Sequence, residues 1–408
     1  MKDETVPQES FGVALAGGGP LGAIYELGAL IALDETLKGF DVTDAGTYVG
    51  VSSGAFIAAG LANDMSPRAM HGMFIEDETG EGLLNAKLLM QPAAEEYAKR
   101  ILALAPVLCS AAMDYLAAPC AQSFGESFQR LGPALPTGIF DNIGVARALQ
   151  KLFSAPGRTD DFRRLQRKLF VVATDLDSGN KAPFGAPGWD DVPISRAIQA
   201  SAALPGLFPP VLIRKRWYVD GVLNRTLHAS LALQAGAKLL LCVNTLVPFD
   251  ADLAARHGDK RRPPIVNGGL PLVLAQTFRA IVHSRMEVGM SRYRREYPDA
   301  DVVLFEPERG DPEMFFANVF SYADRRRLCE HAYQRTRAAL RRRYAELQPI
   351  FDRHGVTIDR SALDDDSRTL LRADASKTGR RFALTEAMSS LDEALDRLSA
   401  ALKRQRAA

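Results

Sequence analysis

Residues 48–60 read YVGVSSGAFIAAG, and within them Gly50, Ser52 and Gly54 form a G-x-S-x-G pattern between a β-rich run and a small-residue helical segment. That order is the setting of a nucleophile elbow. The serine stands at the tip of a tight strand-to-helix turn, the glycines keep side chains from crowding it, and the helix N-terminus stabilises developing negative charge. Ser52 is the candidate nucleophile. A second glycine run precedes it, LAGGGPLGAIYELG (15–28), in which Gly17, Gly19 and Gly22 also fit the G-x-G-x-x-G of a dinucleotide site. The same glycines serve either a pyrophosphate or an oxyanion, because both uses bring backbone N–H groups at a helix N-terminus to negative charge. A dinucleotide site places an acid at the end of a second strand, about 20 residues further on. Here that interval reads as helix, and the next strand leads to Ser52.

Outward from these motifs, short apolar strands alternate with helical sequence: FGVALA at 11, TYVGV at 47, LFVVATDL at 169, LLLCVN at 239 and DVVLFEP at 301. The alternation predicts an α/β fold with a central, mostly parallel sheet. A polar tail (1–10) precedes a core predicted over 11–310, within which 64–168 hold a helical insertion or lid. The insertion is far longer than a βα connection needs. Its Leu83–Phe128 stretch, rich in Leu, Ala and Met, is read as a lid or interfacial surface. A helical continuation (311–350) and a linker with a terminal helix (351–408) complete the chain. In the last segment Leu384, Met388, Leu391, Leu395, Leu398 and Leu402 share one helical stripe, a candidate homo-oligomer contact.

The 408 residues are 47% hydrophobic, enough for a large buried core. Fifty basic and 49 acidic residues leave a net charge of +1, so no global field draws in nucleic acid. Four cysteines (Cys109, Cys120, Cys242, Cys329) lie far apart without C-x-x-C spacing, which predicts neither a disulfide framework nor a metal site. No cofactor is expected. The polar start MKDETVPQES lacks a secretory core, and the least polar region, 101–125, is interrupted by Asp114 and two prolines. A cytoplasmic protein with no spanning helix is the expectation. The arginine runs Arg325–Arg327 and Arg341–Arg343 read as solvated helix faces or headgroup contacts.

A nucleophilic serine needs a base. None of the six histidines (His71, His228, His257, His283, His331, His354) stands in a catalytic setting, and His228 reads as part of a helix leading away from the site. The acidic candidate is Asp220 in RWYVDGVLNR, where a strand end delivers a carboxylate just before Gly221 and its turn.

Taken in order, residues 11–62, ATDLDSG (173–179) and ASAALPGLFPPVLIRKRWYVDGVLNR (200–225) resemble the patatin-like phospholipases over roughly the first 310 residues. The resemblance implies a three-layer α/β fold and a lipid acyl hydrolase of phospholipase A or lysophospholipase type, with peripheral membrane contact. It implies a Ser52–Asp220 dyad and an oxyanion hole from the backbone of Gly17, Gly18 and Gly19, with Gly22, Gly50, Gly54 and Gly221 as motif glycines. It also admits a neutral lipid esterase or acyltransferase on the same dyad, or an idle scaffold assembling through the terminal helix. A carboxylate is a weak base at its solution pKa of about 3.9, so such a dyad needs close alignment and partial desolvation. One position departs from the family's G-G-G-x-(Arg or Lys)-G loop: Leu21 stands where the basic residue is usual.

Overall fold

The computed structural model describes residues 10–76, 91–94, 96–98, 100, 136–258, 264–317 and 322–371. Its strands are β1 (Phe11–Leu15), β2 (Leu37–Lys38), β3 (Thr47–Val51), β4 (Lys168–Asp175), β5 (Lys181–Phe184), β6 (Val211–Ile213), β7 (Arg216–Asp220), β8 (Leu239–Val243), β9 (Asp301–Phe305) and β10 (Thr357–Ile358). Five of them, in the spatial order β4, β3, β1, β8, β9, run parallel. They are the five apolar runs read from the sequence. An antiparallel extension, β5 and β7 on β4 and β6 on β7, completes the α/β sheet.

The helices that matter to the site are α1 (Gly19–Thr36), α2 (Ser53–Ala62), α3 (Ile143–Phe153), α4 (Ile194–Ser201), α5 (Gly269–Glu296) and α6 (Tyr322–Arg342). Both faces of the sheet are covered, which is why β1, β3 and β8 are apolar at successive residues and buried throughout. Successive side chains feed opposite layers. Val13, Leu15, Leu239 and Leu241 join the core shared with α1 and α6, whereas Ala14, Ala16, Leu240 and Cys242 join the core shared with α5.

Residues 351–371, read as the start of a linker, are part of the folded body. β10 pairs antiparallel with β2, and Phe351, Val356, Leu363 and Leu370 are buried in the α1 core. Acidic DDDS dominated the reading of this stretch, but its apolar residues decide where it goes. The leucine stripe from Leu384, together with Cys109 and Cys120, lies outside the described residues. So does the Leu83–Phe128 lid, except for its few described positions between 91 and 100. One described run, Ile265–Glu296, is long and apolar enough by length and composition to cross a membrane.

Candidate active site

The site forms where strands β3 and β7 meet end to end. β5 lies along one edge of β4, pairing residues 171–174. The other edge of β4 is shared: β3 runs up it until Val51 pairs with Val172, and β7 runs down it until Asp220 pairs with Ala173. Ser52, which follows the end of β3, and Asp220, the end of β7, 168 residues apart in sequence, are thereby brought together by adjacent residues of β4. Beside them the chain leaves β1, whose Leu15 pairs with Gly50. Because β3 and β8 flank β1 on opposite sides, strand order reverses between β1 and β8, and the crevice at their carboxyl ends adjoins the end of β3.

Ser52 is the residue before α2 and has φ 54°, ψ −121°. A non-glycine residue there is strained, at a cost of order 1–3 kcal/mol, and such strain persists only where the surroundings enforce it. Two contacts do so. The Ser52 N–H donates to Ser201 Oγ at 2.8 Å, and the Ser201 hydroxyl donates to the Val172 carbonyl at 2.6 Å. On the other side, a Cβ at Gly54 would lie 2.4 Å from the Ala16 carbonyl oxygen, so only glycine lets α2 press against the end of β1.

Asp220 is 2% exposed. Burial pushes its carboxyl up to about 7, against two hydrogen-bond donors that lower it, the Val222 N–H and the Ser52 hydroxyl. The Val222 N–H lies 2.9 Å from Oδ1. Its backbone is anchored as well, since its N–H donates to Ala203 O at 3.0 Å and its carbonyl accepts from Thr174 Oγ1 at 3.1 Å. Gly221 is required here: a Cβ would sit 2.1 Å from the Val172 carbonyl oxygen.

His228 does not lead away. It is buried with φ 47°, and its Nε2 lies 3.3 Å from the Gly221 carbonyl, directly behind the Asp-Gly turn. Burial pulls its pKa down to about 3, so the ring is neutral. A neutral ring supports the turn through Nε2–H without putting charge next to Asp220.

The glycine loop lies against the serine. A Cβ on Gly17 would be 3.0 Å from that of Ser52, and Thr245 Oγ1 donates to the Gly17 carbonyl at 2.8 Å, holding the loop in place. Gly18 and Gly19 open α1 with no side-chain cap, and both line the crevice. A Cβ on Gly22 would meet Ser53 Oγ and Thr245 Oγ1, so this glycine seats α1 against the elbow. Leu21 is turned into the α1 core and leaves the loop without a cation.

A cavity of about 430 Å³ joins these elements, lined by Gly18, Gly19, Ser52 and Asp220 at one end. Its walls are mainly apolar, with Phe56, Leu149, Ile198, Phe208 and Phe278 among them. Asn142 and Gln199 face each other in the wall, with the Gln199 amide donating to Asn142 Oδ1 at 2.9 Å. Apart from Asp220, Arg279 of α5 is the charged residue of the lining. Ser201, Thr245, the Asn142–Gln199 pair and Arg279 were not singled out from the sequence, because nothing local marks them.

The remaining candidates have structural employment. His331 pairs with Asp311 at 2.6 Å and His354 with Asp301 at 2.8 Å. Cys242 and Cys329 are buried free thiols. Among the described residues, no group of three His, Cys, Asp or Glu side chains gathers as a metal site. The arginine runs are only partly solvated: Arg327 and Arg342 are exposed, whereas Arg325 and Arg326 are buried, and several of the six are engaged within the chain. Arg326 pairs with buried Glu76 at 2.8 Å, Arg342 with Glu308 at 2.9 Å, and Arg343 donates to the Leu304 carbonyl at 2.8 Å.

A mostly parallel sheet with a serine at the β3–α2 turn and glycine-loop N–H groups beside it defines a class, the α/β proteins with a serine elbow. The model of the patatin-like phospholipases matches residues 13–233, more than half of the chain, and the chain belongs to that family of lipid acyl hydrolases. No curated protein matches it. Among solved structures it is similar to VipD from Legionella pneumophila, with 14% identity over 85% of this chain and 79% of VipD and a TM-score of 0.32. It is also similar to the type III effector protein ExoU, with 15% identity over 88% of this chain and 62% of ExoU and a TM-score of 0.29. Both similarities are too weak to carry a functional inference.

Proposed function

We propose that this chain hydrolyses a carboxylic ester of a phospholipid, as a phospholipase A or lysophospholipase, through an acyl-enzyme on Ser52. The observation that carries the reading is the meeting of a strained serine with a buried aspartate whose pKa is raised to about 7. A base with a pKa near the operating pH combines a useful ionised fraction with real proton affinity. Asp220 takes the proton from Ser52 Oγ as that oxygen attacks the acyl carbonyl. The oxyanion is stabilised by the N–H groups of Gly17, Gly18 and Gly19, and removal of one such donor in comparable sites costs about 10²- to 10³-fold in kcat. Collapse expels the alcohol or lysolipid, which receives the proton from Asp220. Water then gives its proton to Asp220 and attacks the acyl-enzyme, releasing the fatty acid and restoring Ser52.

The apolar cavity and the uncharged Leu21 support a second reading on the same dyad, a neutral lipid esterase or acyltransferase. The test is labelling with a fluorophosphonate, together with fatty-acid release from a phospholipid and from a neutral ester. Labelling and release are expected from the parent and from neither Ser52→Ala nor Asp220→Asn. Labelling that persists in Ser52→Ala overturns the nucleophile. An unlabelled, inactive parent leaves an idle scaffold.

Membrane contact is assigned to α5 in place of the arginine runs. Its N-terminal half lines the cavity with Ala275, Phe278 and Arg279, while Leu270 and Leu274 beside them are exposed. An apolar surface continuous with the mouth of a lipid site seats that mouth on the bilayer, the helix lying in the interfacial plane.

A further inference from the structure

We propose that Arg279 is an anion-recognising residue that binds the phosphodiester of a lipid substrate and sets the preference for phospholipid over neutral ester. The proposal rests on the reading of the cavity as the ester-binding site. Arg279 lies on α5 and lines the same cavity as Ser52 and Asp220. Its guanidinium sits 4.7 Å from the centre of the Phe315 ring, which fixes its plane and offsets part of its desolvation.

No carboxylate among the described residues pairs with it. In this protein that is unusual for a cation so enclosed. Arg326, buried more deeply than the half-buried Arg279, has Glu76, and Arg337 has three backbone carbonyls. A withdrawn cation without an anion is costly, and the cost is recovered when an anion arrives. Burial alone moves its pKa, down to about 10, which leaves it charged at neutral pH. The planar guanidinium offers parallel N–H donors that match two phosphate oxygens, a geometry a lysine does not reproduce.

A free carboxylate is a second source of anionic oxygen, and the experiment separates the two. Ser52→Ala protein, which retains the cavity, is titrated with monomeric dihexanoylphosphatidylcholine, with dihexanoylglycerol and with hexanoate. In this background Arg279→Gln is expected to weaken the phospholipid about 10- to 100-fold, the range for a charge-assisted hydrogen-bonded pair, with the diacylglycerol changing less than about threefold. Arg279→Lys recovers part of the loss. In the catalytically intact protein, Arg279→Gln is expected to lower the ratio of phospholipid to neutral-ester kcat/KM by at least about tenfold, through KM more than kcat.

Equal weakening of phospholipid and diacylglycerol overturns the proposal in favour of a packing role over Phe315. Unchanged phospholipid binding overturns it outright, and so does loss confined to hexanoate. Failure of the serine reading is distinguishable, because it shows as hydrolysis surviving in Ser52→Ala, while the binding contrast needs no turnover.

Discussion

Helices α5 and α6 cover opposite faces of the same sheet and invert the usual division between inside and outside. α6 is strongly polar, yet Arg337 is 0% exposed and its guanidinium donates to the carbonyls of Ala362, Leu363 and Asp365 at 2.6–3.0 Å. The N-terminal half of α5 is mostly apolar, yet Leu270 and Leu274 there are 69% and 57% exposed. The difference teaches that composition alone does not say which helix is buried. What decides is whether partners are built for the groups each helix carries. On the α6 side the charges are met within the chain, and this side is architecture. On the α5 side Arg279 has no carboxylate partner among the described residues and Leu270 and Leu274 are exposed, and this is the side proposed to meet the substrate.

The largest test of that contrast is Asp220→Asn. Turnover is expected to fall by about 10³- to 10⁴-fold, while stability at pH 8 rises by an amount on the order of 3 kcal/mol. The sign follows from the protons bound. Between the ordinary value of 3.8 and about 7, the folded state holds a proton on Asp220 that the unfolded chain has shed, so stability falls as pH rises through that window. Asparagine has no proton to lose, so the gain is full above about pH 7 and disappears near pH 4 in denaturant titrations. Next comes the architectural side. Arg337→Met strands three carbonyls and is expected to cost about 2–4 kcal/mol of unfolding free energy, with activity per folded molecule unchanged.

Ser201→Ala sharpens the comparison from within the site. Losing the hydroxyl that holds the Ser52 N–H loosens the elbow, and kcat is expected to drop roughly 10- to 100-fold with KM little changed. The smallest change in stability is expected on the exposed side. Leu270→Glu with Leu274→Glu should alter unfolding free energy by less than about 1 kcal/mol and lower sedimentation with phospholipid vesicles about tenfold. Unaltered vesicle binding would remove α5 from the membrane contact.

The parallel half of the fold was legible because strands covered on both faces must be apolar at every position, and FGVALA, TYVGV and LLLCVN satisfy that without ambiguity. β2 and β10 were not legible. Two residues each carry no periodicity, and their pairing joins positions 37–38 to 357–358. Ser52 and Asp220 were readable as candidates because glycine spacing marks a tight turn wherever it occurs. Their pairing as a dyad came only from the family resemblance, since nothing local in the sequence shows that β3 and β7 share one edge of β4. Ser201 is 149 residues from the N–H it holds, and Arg279 enters the cavity from a helix read only as generic sequence. His228 was misjudged because a left-handed residue at a buried turn leaves no mark in a stretch that otherwise reads as helix. Partial desolvation of Asp220 was a requirement of the dyad reading, and burial at the β3–β7 junction raises its carboxyl to about 7.

The central claim is that Asp220 acts directly on Ser52 without a histidine, and the pH dependence of kcat/KM on a soluble short-chain ester tests it most directly. The rate is expected to climb about tenfold per pH unit in acid and to level off above about 7, as the Asp220 carboxyl ionises. The residual rate of Asp220→Asn should show no such inflection. A profile already flat from about pH 5 upward, or an inflection near 7 that survives in Asp220→Asn, contradicts the account.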